Sequence, residues 1–491
     1  MDYARYRQHD ATAQAELVRT GQTAPGELLE AALTRAEQVN TRINAITEPW
    51  WEHARERAAA PHLTGPLAGV PFLLKDLGQE WAGTRCNYGS TALRGTTARE
   101  TAEVVHRWLA AGLVPFGRTN APELGIKAIT EPHAFGPTRN PWNPERTSGG
   151  SSGGAAAAVA AGIVPMAAAS DGGGSIRIPA ACCGLFGLKP GRGLIPAGPH
   201  QAEHFYGAAV DGVLTRTVRD AAAGLDALTG HDPAGPYPAH QPEPFRDHTT
   251  RDPHPLRIGY SADTALGDPH PEAIAAMNRT AELLHNLGHH VEPVPMPADL
   301  DALAVDFLQA WSVNVAAQIN DATANGAHPD DFELDTRLLA ASGQATPGPA
   351  HVATTQRWHQ HTRRLAHFHQ HHDLLLTPSL ASPPVPIGSL TTPPRKRLAG
   401  RTVLALRAGK LLRTTGLVDQ VARDNLQHVP YTQLANLTGR PAMSVPLHWT
   451  DNGLPLGTQF IAPPGGETTL FALAGQLERA QPWSHLEPPL G

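Results

Sequence analysis

With 491 residues, 41% hydrophobic and 17% charged, the chain has an ordinary globular balance and the length for a large buried core. A formal charge of −6 gives no electrostatic case for nucleic acid, and the three cysteines, Cys86 alone and Cys182 beside Cys183, make neither a disulfide framework nor a metal-ligand spacing. No run is long enough to cross a membrane and residues 1–10 lack the apolar stretch of a secretion signal, so the expected location is cytoplasmic.

The N-terminal region, about 1–65, reads as helices. Thr23 ahead of Pro25 is a start signal, and Leu29, Ala32, Leu33 and Ala36 recur at helical spacing. A strand over Val70–Lys75 follows, then a helix near Thr101–Ala111 and a proline-broken loop from Asn140 to Arg146. Residues 147–179 form a small-residue tract in which strong helix formers, Ala155 to Ala161, are followed by an apolar run, Ile163 to Ala167, suited to a buried strand. Thr217–Leu228 reads as a helix and Gly230–Pro255, rich in proline and histidine, as a surface connection. Beyond it come a strand at Leu256–Tyr260, a helix near Ala273–Leu287 and a strand at His290–Val294. Strands alternating with helices imply an α/β sheet covered on both faces, and there is no internal repeat.

The tract 147–179 carries the chemistry. Gly149-Gly150-Ser151 and Gly172-Gly173-Gly174-Ser175 each set a hydroxyl beside backbone N–H groups left open by glycine. One hydroxyl can attack a carbonyl, the N–H groups can hold the oxyanion, and the second hydroxyl can carry the proton. A flexible linker is the commonplace alternative, but the serine loops flank ordered elements. A phosphate-binding loop would need a Gly-Lys-Ser/Thr that is absent. Gly149 to Gly153 fits the G-x-S-x-G pattern of a nucleophile elbow, yet the expected loop before it is not the buried strand an elbow follows.

From Gly149 to Ala180 the chain resembles the amidase signature family, with Asp171, the glycines, Ser175, Ile176, Arg177 and Pro179 in place. Gly69 to Asp76 resembles that family's lysine strand, and the similarity continues through Gly117–Glu123, Thr138–Trp142, Cys183–Pro190 and Leu437–Ala442. Within the family it is most similar to bacterial stand-alone amidases, among them 6-aminohexanoate cyclic dimer hydrolases, which open a cyclic amide. The resemblance implies one continuous domain over 1–491 with a large mixed β-sheet covered by helices on both faces. The signature core would occupy about 66–230, the surface connection about 230–255 and the remaining α/β part about 256–491.

The resemblance also implies Ser175 as nucleophile, Ser151 as proton bridge behind a cis Gly150–Ser151 peptide, and Lys75 as the base. Lysine serves as a base only when neutral, and burial against Val70 to Leu74 would lower its pKa by disfavouring the ammonium. The N–H groups of Gly172, Gly173, Gly174 and Ser175 are the implied oxyanion donors. Arg177 is expected to pair with an acid as scaffold, and Asp76 and Asn120 are expected to be structural.

The reaction implied is hydrolysis of a non-peptide amide, linear or cyclic. The alternatives are a glutamine-dependent amidotransferase subunit, which needs partner chains, and an ester or carbamate hydrolase. No cofactor is expected, and the expected partners are a small-molecule amide and, as the candidate protein partner, a second copy in a homodimer. The wall residues proposed from variable segments are Ile126 and Trp311, for an apolar-to-mixed pocket. Twenty-six histidines raise a metal question, most at His367 and His371, spaced i, i+4. No glutamate follows the first as in a zinc protease, and Trp358, Leu365 and Phe368 are expected to form a buried stripe that leaves many histidines on the solvated face, so no metal is expected. Ser382 to Pro386 reads as loop.

Overall fold

The computed structural model describes residues 1–61, 63–237, 243–264, 266–406 and 426–490. Thirteen strands are present among them: β1 (Ile46–Pro49), β2 (Pro71–Lys75), β3 (Val114–Thr119), β4 (Arg139–Asn140), β5 (Asn143–Thr147), β6 (Met166–Asp171), β7 (Phe186–Lys189), β8 (Val210–Thr215), β9 (Arg257–Tyr260), β10 (His290–Pro293), β11 (Leu374–Pro378), β12 (Ala442–Val445) and β13 (Thr458–Ile461). Eight form a mixed sheet in the order β10-β9-β11-β13-β12-β7-β8-β6, parallel through β11 and antiparallel beyond it. This is the large mixed sheet expected. The lysine strand β2 lies in a companion sheet, β1-β3-β2, and meets the β6 edge where Lys75 touches Ser170.

Alternate residues of the central strands enter different cores. Met166, Ala168, Leu374, Leu376, Met443 and Phe460 pack on one side, whereas Ala167, Ala169, Leu375, Ala442 and Ile461 pack on the other. A strand places successive side chains on opposite faces, so a sheet apolar at every position must be covered on both. Helices Val218–Leu228 and Glu467–Ala480 cover the first side, and Pro25–Ile43, Gly153–Ala160 and Arg177–Cys183 the second. Helix Gly153–Ala160 is buried on every face, which its lack of any polar side chain allows.

Several sequence expectations need correction. The apolar run at Ile163 does not begin a strand. Pro165 has no N–H to donate, and β6 starts at Met166 and ends at Asp171. Asn140–Arg146 is not a loop, because β4 and β5 form a two-stranded hairpin in which Pro144 is tolerated at an edge. The segment Gly230–Pro255 is not wholly superficial: Phe245 is buried, with its ring 5.5 Å from that of Phe471, and residues 238–242 lie outside the described part. Trp358, Leu365 and Phe368 form the expected buried stripe, but their helix ends at Phe368. His371 therefore does not share a helical face with His367. Among the described residues, no helix is long and apolar enough to cross a membrane.

Helix Gly153–Ala160 starts against backbone. Gly154 donates its N–H to Asn120 O at 3.2 Å, and a Cβ there would stand 2.4 Å from Asn120 N and 2.8 Å from Ala45 O. Helix propensity alone would make Gly154→Ala stabilising by about 1 kcal/mol. The close approach reverses the sign, so we expect a lower midpoint of thermal unfolding for Gly154→Ala, and a raised midpoint would contradict this packing.

Candidate active site

Three segments bring the candidate residues together. Strand β2 carries Lys75 at its end, the turn between β5 and helix Gly153–Ala160 carries Ser151, and the turn after β6 carries Gly172 to Ser175. The Gly150–Ser151 peptide is cis, as the resemblance implied. A Cβ at Gly150 would lie 2.7 Å from the Ile129 backbone, so only glycine fits there.

Lys75 is fully buried, and its Nζ is hydrogen-bonded to Ser151 Oγ at 2.8 Å and to Ser170 Oγ at 2.9 Å. Its backbone is fixed at both polar groups: the N–H donates to Gln79 Oε1 at 2.8 Å, and the carbonyl accepts from Arg118 Nη1 at 2.9 Å. Phe72, Leu73 and Leu74 exclude water around the strand. Burial pushes the Lys75 amine down to about 7, against the opposing pull of the Asp211 and Asp171 carboxylates. Ser151 is 2% exposed. Ser175 is only half-buried, and its carbonyl accepts from Ser152 N–H at 3.3 Å, which ties the two serine turns together.

Asp171 and Arg177 form an ion pair with neither side chain exposed. Arg177 Nε and Nη2 donate to the two carboxylate oxygens at 2.9 Å each, and Nη2 also donates to Asn436 Oδ1 at 2.7 Å. Nη1 donates to Thr432 O at 2.8 Å and Gln459 Oε1 at 2.5 Å, so all five guanidinium donors are used. Burial would raise the Asp171 pKa, but the Arg177 charge and its hydrogen bonds overcome this and hold the carboxyl well below its usual range. Asp171 also accepts from Gly174 N–H at 2.7 Å and Ile176 N–H at 3.2 Å.

This changes which N–H groups of the glycine turn are free. The Gly174 N–H, expected as an oxyanion donor, is already committed to Asp171. The N–H groups of Gly172, Gly173 and Ser175 have no acceptor among the described residues. Trp311 is half-buried and stacks on Phe307 with ring centroids 5.9 Å apart, while Phe205 meets its edge at 4.7 Å. A Cβ at Gly173 would lie 2.7 Å from Phe307 Cζ, and one at Gly172 3.9 Å from Trp311 Cζ3, so this aromatic wall faces the glycine turn. Ile126 is half-buried against the same apolar cluster as Trp311, beside Gly125, whose Cβ position is 3.4 Å from Ser151 Oγ.

Ser170, Gln79, Thr432 and Asn436 escape the sequence reading. Ser170 had a signal, since it directly precedes Asp171 at the end of a buried strand. Thr432, which donates to Gly173 O at 2.7 Å, and Asn436, which donates to Asp171 Oδ1 at 2.9 Å, come from more than 250 residues away and have no local pattern to betray them. No cluster of three or more metal-ligating side chains occurs among the described residues.

Residues 27–471 match the family model described as Amidase. The chain is 36% identical over 493 residues to a 6-aminohexanoate-cyclic-dimer hydrolase of Pseudomonas sp. (strain NK87), covering 98% of this chain and 96% of that protein. It is 38% identical over 491 residues to the putative amidase AmiB2 of Mycobacterium bovis, covering 97% of each. A solved structure of 6-aminohexanoate cyclic dimer hydrolase complexed with substrate superposes with a TM-score of 0.89 at 35% identity, over 99% of each chain.

Removing Arg177 would leave Asp171 buried and unpaired. Arg177→Leu is expected to cost about 3–5 kcal/mol in denaturant unfolding, and a loss within the scatter of surface substitutions would contradict the scaffold role. Because the folded-state pKa of Asp171 is depressed, the pair's stabilisation is present above the unfolded carboxyl pKa. It is lost as pH falls toward the depressed value.

Proposed function

The chain belongs to the amidase family and is an amide hydrolase; we propose that it works through an acyl-enzyme on Ser175, with Ser151 as proton bridge and Lys75 as neutral base. The observation that carries this reading is the 2.8 Å contact between Ser151 Oγ and the Nζ of a lysine buried enough to lose its proton near neutral pH. Ser175 Oγ attacks the carbonyl carbon while its proton passes to Ser151 and the Ser151 proton passes to Lys75 Nζ. The oxyanion is held by the free N–H groups of Gly172, Gly173 and Ser175, each such donor being worth about 3–4 kcal/mol in similar sites. On collapse the C–N bond breaks, and Lys75 returns the proton through Ser151 to the leaving nitrogen. Water then enters by the same relay, the ester to Ser175 is cleaved, and the acid leaves.

For the substrate we propose a small non-peptide amide, linear or cyclic, with an apolar flank against Trp311, Phe307 and Ile126. The 6-aminohexanoate-cyclic-dimer hydrolase relative supports the reaction type, and the aromatic wall over the glycine turn supports the apolar flank. We place the enzyme in the cytoplasm, a reading supported by three unpaired, buried cysteines.

Ser175→Ala is expected to abolish covalent labelling by a fluorophosphonate and to lower turnover by several orders of magnitude. Ser151→Ala retains slower labelling, because water can partly replace a proton bridge. Lys75→Arg fails in acylation, since guanidinium keeps its proton at any working pH. Labelling that vanished with Ser151→Ala and survived Ser175→Ala would reverse the roles. Near-normal acylation by Lys75→Arg would remove lysine as the base.

A further inference from the structure

A second carboxylate stands behind the lysine. In the β6–β8 ladder Asp211 is directly opposite Ser170, and paired residues of an antiparallel ladder project on the same side. The Asp211 side chain is therefore on the side of Ser170 Oγ, which touches Lys75 Nζ. Gln79 clamps it: Nε2 donates to Asp211 Oδ1 at 2.8 Å and to Ala169 O at 3.2 Å, while Oε1 holds the Lys75 N–H. On the outer side His204 Nε2 lies 3.9 Å from Asp211 Oδ2, and its Nδ1 is 3.2 Å from Gln201 Oε1. His204 and Asp211 share a cavity of ≈ 30 Å³, enough for water, which Glu203, Asp232 and Tyr237 also line.

Resting on the reading of Lys75 as the base, we propose that Asp211, clamped by Gln79 and faced by His204, is a positioning residue that sets the pH at which Lys75 becomes competent. The charged groups around Lys75 are few. Asp171 is engaged by Arg177; Asp76, next in sequence, accepts from the N–H groups of Asn87 and Gly89; Arg118 donates to the Lys75 carbonyl; Ser151 and Ser170 are neutral. Around Asp211 stand His204, Lys75, Gln79 and the more distant Glu80. Among the described residues Asp211, like Asp76, has no ion-pair partner in the interior, and it is the Asp211 negative charge that favours the Lys75 ammonium over the amine. Protonated His204 favours the charged form of Asp211 and so acts in the same direction at one remove. His204 itself is set by a turn in which Phe205 and Tyr206 take φ of 47° and 54°, held by Arg192 Nε donating to Gly207 O at 2.8 Å and by Phe205 in the aromatic wall.

The test is the pH dependence of Ser175 phosphonylation by a fluorophosphonate, measured as a rate on the full chain. Asp211→Asn keeps an acceptor for Gln79 and removes the charge. It is expected to move the rising limb of the rate to lower pH by about one unit, as loss of a nearby opposite charge does. His204→Gln moves it the same way by less, and Asp211→Glu restores the wild-type position. Should Asp211→Asn fail to fold, His204→Gln decides alone. A limb unmoved in folded Asp211→Asn, or in His204→Gln where that variant stands alone, overturns the proposal, as does a limb displaced upward. Failure here is separable from failure of the base itself: a wild-type rate with no rising limb near neutral pH removes the role of Lys75, whereas a normal wild-type limb unmoved by the variants removes only Asp211.

Discussion

A lysine amine with no exposure to water and two serine hydroxyls for company is the constraint on which the rest of this site depends. In such surroundings the ammonium is the disfavoured form, because hydroxyl dipoles replace only part of the lost hydration. A fully paired lysine would keep its proton. Lys75 is given carboxylates nearby but, among the described residues, none in direct contact, which leaves its amine balanced near neutrality. The apolar strand β2 thus serves twice, as core for the fold and as the dry environment that lowers the pKa of a residue ordinarily too basic to lose its proton near neutrality.

The second constraint is rigidity. The turn after β6 leaves the N–H groups of Gly172, Gly173 and Ser175 without acceptors among the described residues, and glycine supplies no side chain to hold it. Asp171 supplies the brace from within, accepting from Gly174 and Ile176, and Arg177 locks Asp171 to Thr432, Asn436 and Gln459. These partners come from the far end of the chain, so the turn is shaped by segments joined only in the folded protein. Such a buried pair adds little net stability against an apolar replacement, but it fixes geometry, and every donor of Arg177 is satisfied.

Much of this was legible in the sequence because it is written locally. The glycine-serine turns, the lysine at the end of an apolar strand and the alanine helix between them are contiguous patterns whose chemistry needs those residue types. The alternation of strands and helices likewise pointed to a sheet covered on both faces, and the family resemblance to its being mixed. What stayed hidden was tertiary. Nothing near Gly174 announces that its N–H is taken by Asp171, which leaves the N–H groups of Gly172, Gly173 and Ser175 as those without an acceptor among the described residues. Ser170 and Asp211 become neighbours of Lys75 only through strand pairing, and Thr432 and Asn436 only through closure of the fold. The hairpin β4–β5 was missed because proline is a poor strand former except at an edge, and edge position is not visible in a linear pattern.

The central claim is that Lys75 is neutral at working pH. Lysines enriched with ¹³C at Cε can be followed by NMR through a pH titration of the intact protein, with Lys75→Met identifying the Lys75 signal. Lys189 must be assigned in the same way with Lys189→Met, since burial pushes it down to about 7 as well. The account predicts that the Lys75 resonance titrates near 7. A Lys75 resonance that stays in its ammonium position until the range of an exposed lysine, about 10.4, would contradict it.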